Sequence, residues 1–301
     1  MKADTAQRTT RDDNDNDVNA PPSSTPRRWL ITGVSTGLGR ALALSCLEIG
    51  DTVIGTLRNS EQAREFENLA PGRSIAVLLD VTDDETLRTE VPAAIERAGG
   101  VDTLVNNAGY SLIGAVEETS LDEARHMMDT NFFAAVNLTQ VVLPYLRAQE
   151  RGHIINVASV ASTIGFAWSA MYSASKSALA AMTEALADEV SSFGIKVTCI
   201  EPGGMRTNFA STSLAIVERP LPHYSDSIGE VQRQYQAAAT KMRNDPIKSA
   251  QVVRALVQMP DPPRRLAIGT DGHSMIVNAL QRRLEDYERN RGNASDTAFT
   301  V

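Results

Sequence analysis

The chain has 301 residues, of which 42% are hydrophobic and 22% are charged, and this composition is typical of a soluble protein with one large core. Its formal net charge of -8 and the lack of any block rich in Lys and Arg argue against nucleic acid as a partner. No run reaches the ~18 to 20 apolar residues of a membrane-spanning helix, and the N-terminus lacks the apolar core of a secretory signal. We therefore expect a soluble, cytoplasmic protein that binds neither nucleic acid nor membranes.

Residues 1–26 are rich in Asp, Asn, Thr, Ser and Pro and contain almost no large apolar side chain. Such a segment cannot bury enough surface to offset the entropy lost on ordering, so we expect a disordered polar tail, followed by one folded domain at 27–301. The two cysteines, Cys46 and Cys199, lie in apolar stretches and outside any metal-ligand spacing. They predict buried thiols in a reducing compartment and no metal site.

From Trp29 onward, short apolar runs alternate with longer helical patterns, which is typical of βαβ units around a parallel sheet. Long helices are predicted at 38–49, 121–149 and 172–193. Seven strands are predicted, at 29–32, 52–56, 74–79, 103–106, 153–157, 196–200 and 265–268. The fold class is therefore α/β, a single doubly wound Rossmann domain with a seven-stranded parallel sheet and helices on both faces.

The segment 204–246 is too long and irregular for a simple connection between a strand and a helix. We expect it to form a lid over the substrate.

A glycine-rich turn separates the first predicted strand from the first predicted helix. Glycines let the backbone approach a pyrophosphate, and the free N–H groups at a helix start favour its negative charge. The spacing, Gly-x-x-x-Gly-x-Gly, differs from the general dinucleotide fingerprint, and a turn without a ligand is the alternative. The flanking strand, helix and Thr32 favour a cofactor site. Its expected members are Gly33, Ser35, Thr36, Gly37, Leu38 and Gly39.

The residues after the second strand indicate which dinucleotide binds. An enzyme that prefers NAD usually has an acidic residue at this strand end, about 20 residues past the glycines. Here Thr56 ends the strand, and Arg58 and Asn59 follow. The guanidinium of Arg58 can hold the 2'-phosphate of NADP, although a solvated loop arginine is the alternative. We expect NADP(H) to be preferred, with NAD(H) as the second cofactor.

Tyr172 and Lys176 lie four positions apart at the start of a predicted helix, so both side chains point to one face. A neighbouring cation and a helix N-terminus both favour the phenolate and lower the pKa of a tyrosine. The pair alone is a weak signal, but Ser159 follows the fifth strand at the edge of the sheet where ligands bind. Its hydroxyl can stabilise charge on a substrate oxygen. The three residues predict proton transfer to or from an alcohol or carbonyl oxygen.

These motifs resemble those of the short-chain dehydrogenase/reductase family, over about Trp29 to Gly269. The resemblance is closest to bacterial oxidoreductases of the steroid- and retinol-dehydrogenase kind. It implies that Asp80 and Val81 contact the adenine, although capping of the next helix by Asp80 or Thr82 is an equally physical explanation. It also implies that Tyr172 and Lys176 contact the cofactor. Two turns are expected to do the same, one with Asn107, Ala108 and Gly109 and one with Pro202, Gly203 and Thr207.

The resemblance adds one catalytic residue, Asn131, whose family counterpart supports a water in a proton relay to the lysine. From the residues alone, a solvent-facing helical asparagine is the favoured interpretation. The family pattern differs at Gly204, where a larger apolar residue is commoner, and this change predicts a looser hinge for the lid.

The resemblance implies an NADP(H)-preferring oxidoreductase that interconverts a secondary alcohol and a ketone or aldehyde. Residues expected to face the substrate favour a medium-sized, mainly apolar compound. They are Ile164, Phe166, Trp168, Met171, Met205 and Phe209. Alternatives are an NADP-sensing regulatory protein, which should lack the serine, tyrosine or lysine, and a nucleotide-sugar epimerase or dehydratase, which should have a longer C-terminal domain.

The helices around Asn131 and after Tyr172 carry apolar residues on more than one face. The second helix has Ala178, Leu179, Met182, Leu186 and Val190. One stripe must cover the sheet, and a second stripe needs a partner. Similar proteins pair these helices across a two-fold axis, so we expect a homodimer or homotetramer that does not need residues 1–26.

Overall fold

A computed structural model describes residues 25–207, 213–239 and 242–294. The expected tail at 1–26 lies outside the described residues except for its last two positions, and Phe209 also lies outside them.

The central sheet has seven parallel strands, as predicted. They are β1 (Arg28–Ile31), β2 (Thr52–Leu57), β3 (Ser74–Leu78), β4 (Thr103–Asn106), β6 (Gly152–Val157), β7 (Ile195–Pro202) and β9 (Arg265–Ile268). Their order is β3-β2-β1-β4-β6-β7-β9. From β1 the chain adds β2 and β3 on one side, and it then adds β4, β6, β7 and β9 on the other side. The strand order therefore reverses between β1 and β4, and ligands of such sheets bind in the crevice at this point.

A second, two-stranded parallel sheet pairs β5 (Ser111–Ile113) with β8 (Leu214–Ile216). The sequence pattern did not predict it, because strands of three residues are too short to show a period.

The helices described are α1 (Gly37–Glu48), α2 (Ser60–Glu67), α3 (Asp84–Arg97), α4 (Leu121–Met128), α5 (Ala134–Ala148), α6 (Ala170–Glu189), α7 (Ser225–Ala239), α8 (Pro246–Leu256), α9 (Thr270–Arg289) and α10 (Arg291–Ala294). Helices α1, α2 and α8 contribute to the core on one face of the sheet. Helices α3, α5 and α6 contribute to the core on the other face. Strands buried on both sides explain why the predicted strands read as continuous apolar runs.

The predicted helix at 121–149 is present but not uniform. A π-helical turn, Asp129–Phe133, joins α4 to α5. The start of α4 is a capping box, in which Ser120 accepts from the backbone N–H of Glu123 and the Glu123 side chain accepts in return.

The predicted lid at 204–246 contains β8, a 3-10 turn (Pro222–Tyr224) and α7. Residues 213–224 of this lid are called the cover segment below. Besides the β5–β8 pairing, two glutamates hold it: Glu118 accepts from the N–H of Leu221 at 2.7 Å, and Glu123 accepts from the N–H of Glu218 at 2.8 Å. This part of the insertion is therefore attached to the rest of the domain and is not a loose flap.

Both cysteines are buried free thiols, as predicted. Among the helices in the described ranges, none is both long enough and apolar enough to cross a membrane.

Candidate active site

The glycine-rich turn is locked to the turn that follows β4. The Thr32 hydroxyl accepts hydrogen bonds from the N–H groups of Asn107 and Ala108, at 2.9 and 2.8 Å. The Asn107 amide donates to the Thr32 carbonyl at 2.8 Å. A Cβ on Gly39 would collide with this amide, so the third glycine is required by packing between the two turns.

The first two glycines of the turn adopt conformations that favour glycine. Gly33 and Gly37 have φ angles of 70° and 62°. The N-cap residue of α1, Thr36, makes no side-chain capping hydrogen bond. The N–H groups at the start of α1 are therefore available to an anion, as a pyrophosphate site requires. The nearest side chain to a Cβ on Gly37 would be that of Thr207, at 3.8 Å, so this predicted cofactor residue faces the glycine turn.

Arg58 and Asp80 lie at the ends of β2 and β3, and Arg58 is exposed. Burial opposes ionisation of Asp80, but hydrogen bonds from Thr82 and the charge of Arg58 lower its pKa. The N-cap of α3 is Asp83, which accepts from the N–H of Thr86 at 3.1 Å. The alternative that Asp80 or Thr82 caps this helix is therefore wrong.

A cavity lies between the carboxyl ends of the strands and α5. It is lined by Thr32, Val81, Asn106, Ala108, Thr130, Asn131, Ala134, Ala135 and Leu138. Three of the predicted site residues, Val81, Ala108 and Asn131, thus line one cavity. Asn106 is one of the lining residues, and its buried Oδ1 has no hydrogen-bond partner in the described part of the chain. The pattern gave no separate signal for Thr130.

Lys176 is buried, with only 4% of its surface exposed. Its Nζ donates to the carbonyl of Val157, the last residue of β6, at 2.8 Å, and lies 5.9 Å from the ring centre of Tyr172. Burial lowers the pKa of Lys176 to about 8. The lysine therefore links the second turn of α6 to the strand that leads to Ser159.

Asn131 lies in the π-helical turn and is 1% exposed, so the interpretation as a solvent-facing residue is wrong. Its Oδ1 accepts from the N–H of Tyr110 at 3.0 Å, and its Nδ2 donates to the Tyr110 carbonyl at 2.9 Å and to the Ser175 hydroxyl at 3.0 Å. A Cβ on Gly109 would lie 2.8 Å from Asn131 Oδ1 and 3.3 Å from Lys176 Nζ. Asn131 and Lys176 thus converge on Gly109, where only glycine leaves them room.

Ser159 begins a 3-10 turn, Val160–Ser162, and its Oγ accepts from the N–H of Ala161 at 3.1 Å. Its hydroxyl hydrogen can still be donated.

Glu201 supports the Ser159 turn, and the sequence pattern missed this role. Its buried carboxylate accepts from Ser162, from Thr163 at 3.1 Å and from Arg265 at 3.0 Å. In the sequence, the only indication of this role was a single acidic residue directly after an apolar strand. The expected turn containing Pro202 starts later, because Pro202 still pairs with Ile268 as part of β7.

The turn after β7 is tied to α9. The N–H of Gly204 donates to Asp271 at 3.2 Å, and Asn244 donates to both the Gly204 carbonyl and Asp271 at 2.9 Å. These bonds fasten the turn to α9, and the looser hinge at Gly204 stays a prediction.

An apolar cluster lies beside Tyr172. Leu112, Met127 and Val217 are its buried members. Tyr110, Met171, Tyr172 and Ala215 pack against them. Of the residues predicted to face the substrate, Met171 belongs to this cluster, whereas Met205 packs against the core on the α1 side of the sheet. Ile164, Phe166 and Trp168 are half-buried in the loop before α6.

No group of three or more His, Cys, Asp or Glu side chains suited to a metal ion occurs in the described ranges.

Comparison with known proteins assigns the family. The family described as short chain dehydrogenase matches residues 27–215. The chain is 36% identical to a 3-ketodihydrosphingosine reductase from Bacteroides thetaiotaomicron, over 81% of this chain and 88% of that protein. A crystal structure of a short-chain dehydrogenase from Streptomyces avermitilis is 36% identical, with a TM-score of 0.85 over 92% of this chain and all of that one. The structure of ElxO with NADP bound is 25% identical, with a TM-score of 0.68 over 83% of this chain and 100% of that one. The chain belongs to the short-chain dehydrogenase family and is an NAD(P)-dependent oxidoreductase.

Proposed function

We propose that this protein is an NADP(H)-preferring oxidoreductase that interconverts a secondary alcohol and a ketone or aldehyde on a medium-sized, mainly apolar substrate. The observation that carries the proposal is the convergence of Lys176 and Asn131 on Gly109, next to Tyr172 and at the carboxyl edge of the sheet. A buried cation beside a phenol suits transfer of a proton to a carbonyl oxygen.

Each residue has a separate role in this proposal. In the direction of reduction, Tyr172 donates a proton to the substrate oxygen, and Ser159 donates a hydrogen bond that stabilises the charge on that oxygen. Lys176 uses one of its three N–H donors on Val157, which leaves two for the nicotinamide ribose and a water. Asn131 orients this water. When bound, the nicotinamide supplies or accepts the hydride.

The preference for NADP(H) is supported by Arg58 at the end of β2, where an NAD enzyme carries an acid. Its exposed guanidinium lies close enough to Asp80 to lower the pKa of that carboxyl, so a cation is present at this edge. Similarity to a structure with NADP bound agrees with this assignment.

The apolar substrate is supported by the cluster of Leu112, Met127 and Val217 beside Tyr172. A similar protein is named as the reductase of a 3-keto compound, which is consistent with a ketone as substrate.

We further propose that the protein works in the cytoplasm as a homodimer or homotetramer, paired through α5 and α6. The two free thiols favour a reducing compartment. Leu186 and Val190 belong to the core on the α6 face of the sheet, and Leu179 is also buried, so these three apolar side chains lie in the interior. A partner would instead meet the exposed small residues of α6, which are Ala174, Ser177, Ala181 and Ala185.

The test is a panel of ketones, aldehydes and alcohols, followed by nicotinamide absorbance with NADPH and NADH separately. The proposal expects Tyr172-dependent turnover of apolar carbonyl compounds, faster with NADPH. No turnover of any compound, or equal turnover by Tyr172→Phe, would overturn it.

A further inference from the structure

Two aromatic side chains pack against each other at the rim of the apolar cluster that contains Tyr172. The ring centres of Trp168 and Tyr224 are 5.8 Å apart, with their planes at 65°. This is an edge-to-face contact, which is a favourable arrangement of two aromatic rings. Both side chains are half-buried.

Trp168 has an unusual backbone. Its φ of 66° lies in the left-handed region, which is unfavourable for a bulky residue and persists only where neighbouring structure holds it. Two contacts hold it here: the N–H of Gly114 donates to the Trp168 carbonyl at 2.9 Å, and Ser169 forms an isolated bridge with Gly114.

Tyr224 is held from the opposite side. It ends the cover segment, and its hydroxyl donates to the Glu117 carboxylate at 2.7 Å. This hydrogen bond raises the pKa of Tyr224, so the hydroxyl stays a donor. Three residues earlier, Leu221 is bound by the buried Glu118. Each ring is therefore carried by a segment of the chain that hydrogen bonds hold in place.

The position of the pair relates it to the reacting residue. Trp168 precedes Tyr172 by four residues, and Met171 and Tyr172 pack against the apolar cluster to which Val217 of the cover segment belongs. The apolar cluster is thus bordered by the loop that carries Trp168 and by the segment that carries Tyr224. The contact between the Trp168 and Tyr224 rings therefore joins this loop to this segment.

We propose that a carbonyl substrate binds beside Tyr172 and the apolar cluster, and that Trp168 and Tyr224 form an aromatic barrier at one end of this binding site that limits the length of the substrate's apolar chain. This inference rests on the proposed function. Compact ketones fit in front of the barrier, whereas longer ketones must displace a ring that is held in place.

The first test measures kcat/KM for straight-chain 2-alkanones of increasing length, with NADPH, in the wild type and in Trp168→Ala and Tyr224→Ala. We expect the ratio of kcat/KM for long over short ketones to rise at least tenfold in each alanine variant. Trp168→Phe keeps a ring and should keep the wild-type ratio. Tyr224→Phe keeps its ring but loses the hydrogen bond to Glu117, so its ratio should rise less than that of Tyr224→Ala. An unchanged ratio in both alanine variants would overturn the barrier.

The wild type offers a second readout that does not depend on the folding of variants. The chain has two tryptophans, and Trp29 is fully buried with its indole N–H bonded to Asp51. Titration of the NADP+ complex with 2-alkanones should change tryptophan emission up to a limiting chain length, and Trp168→Phe should abolish this change. Binding without a length limit, or a response that survives in Trp168→Phe, would refute the barrier even if both alanine variants were inactive.

Failure of the barrier differs from failure of the proposed function. If the wild type reduces no ketone, or does so equally well as Tyr172→Phe, the proposed function is wrong. If reduction depends on Tyr172 but neither readout depends on the two rings, only the barrier is wrong.

Discussion

Lys176 is a charged side chain in a buried position, and its surroundings define what it can do. Burial lowers its pKa to about 8, so the side chain is mostly charged at neutral pH and loses this charge as the pH rises above about 8. The positive charge stands next to the Tyr172 ring. In the proposed mechanism, this charge favours the phenolate and binds the cofactor.

Replacing Lys176 should therefore change both pH dependence and cofactor binding. We expect Lys176→Met to weaken NADPH binding and to move the pH optimum of alcohol oxidation upward, because the phenol loses the neighbouring charge. Lys176→Arg, which keeps the charge, is the matched control. The measurements are NADPH titrations and pH profiles of kcat/KM. A pH optimum that stays in place in Lys176→Met would contradict the role of the lysine.

Tyr172→Phe removes only the acidic hydroxyl. We expect the fold and NADPH binding to be kept and nearly all turnover to be lost, as measured by circular dichroism, NADPH titration and steady-state rates. Activity near that of the wild type would mean that another group supplies the proton.

Arg58→Asp should weaken NADPH binding far more than NADH binding, because repulsion replaces a contact with the 2'-phosphate. Hydrogen bonds to charged groups contribute roughly 1.5–3 kcal/mol, so we expect a loss of about tenfold or more in NADPH affinity. Arg58→Lys should lose less. Equal NADPH affinity in Arg58→Asp and the wild type would exclude this residue from the phosphate site.

His153 predicts how stability depends on pH. Its Nε2 lies 2.9 Å from the Thr198 hydroxyl, which itself donates to the Pro263 carbonyl. The imidazole must therefore supply the proton at Nε2, and burial lowers its pKa to about 3. An unfolded histidine titrates near pH 6.5, so only the unfolded state gains this proton as the pH falls from about 6.5 toward about 3. Stability is lost over that window, by up to ~1.4 kcal/mol per pH unit.

We expect His153→Gln to lose less stability between about pH 6.5 and 3 than the wild type, because the amide can still donate to Thr198 but does not titrate. Urea denaturation at several pH values measures the effect. If the slope of unfolding free energy against pH were the same in both proteins, His153 would not be its source.

Residue types alone could not show every part of the site. Tyr172, Lys176 and Ser159 stand at recognisable spacings, but Asn131 depends on a π-helical turn and on the backbone of Tyr110, neither of which leaves a sequence pattern. Glu201 is similar, because its partners lie on a loop about 40 residues away and on the neighbouring strand β9.

At the scale of elements, the predicted strands agree with the observed ones to within two residues at each end. Long apolar runs between turns are strong signals, because both faces of a parallel sheet are buried. The short strands β5 and β8 gave no such signal in the sequence, because they pair with each other across about 100 residues of chain.

The cover segment depends on Glu118, whose two carboxylate oxygens accept from Ala115 at 2.8 Å and Leu221 at 2.7 Å. We expect Glu118→Ala to leave these N–H groups unpaired, at a cost of roughly 1–3 kcal/mol, and to make residues 213–224 more sensitive to proteolysis. Glu118→Gln should have an intermediate effect, and the surface variant Asp122→Ala should have none. Limited proteolysis with mass spectrometry gives the cleavage sites. Unchanged cleavage in Glu118→Ala would show that the β5–β8 pairing and the hydrogen bonds to Glu123 and Glu117 hold the segment without Glu118.

At the scale of the whole molecule, the described faces of the sheet are already covered by helices of the same chain. Assembly must therefore use outer helix surfaces. The outer face of α6 has small side chains, and Phe133 in the π-helical turn is 53% exposed. Close approach of two helices is easiest across small residues, so these surfaces suit a two-fold contact.

We expect the full chain and a chain that begins at Arg27 to form the same homodimer or homotetramer, as measured by light scattering. Ala181→Glu, which places a charge on the outer face of α6, should dissociate it. A monomeric wild type, or assembly that is lost with the tail, would count against pairing through these helices.

The π-helical turn has a consequence for comparing related chains. A π turn contains one residue more than an α turn, so its presence is a matter of chain length and not of residue type. Loss of one residue from 129–133 would rotate α4 by about 100° relative to α5, even if every side chain kept its identity. The rotation would carry Glu123 away from the cover segment and would separate Asn131 from Tyr110. In an alignment, a one-residue gap at this place would signal a rebuilt active site, whereas several substitutions on the exposed face of α4 would not.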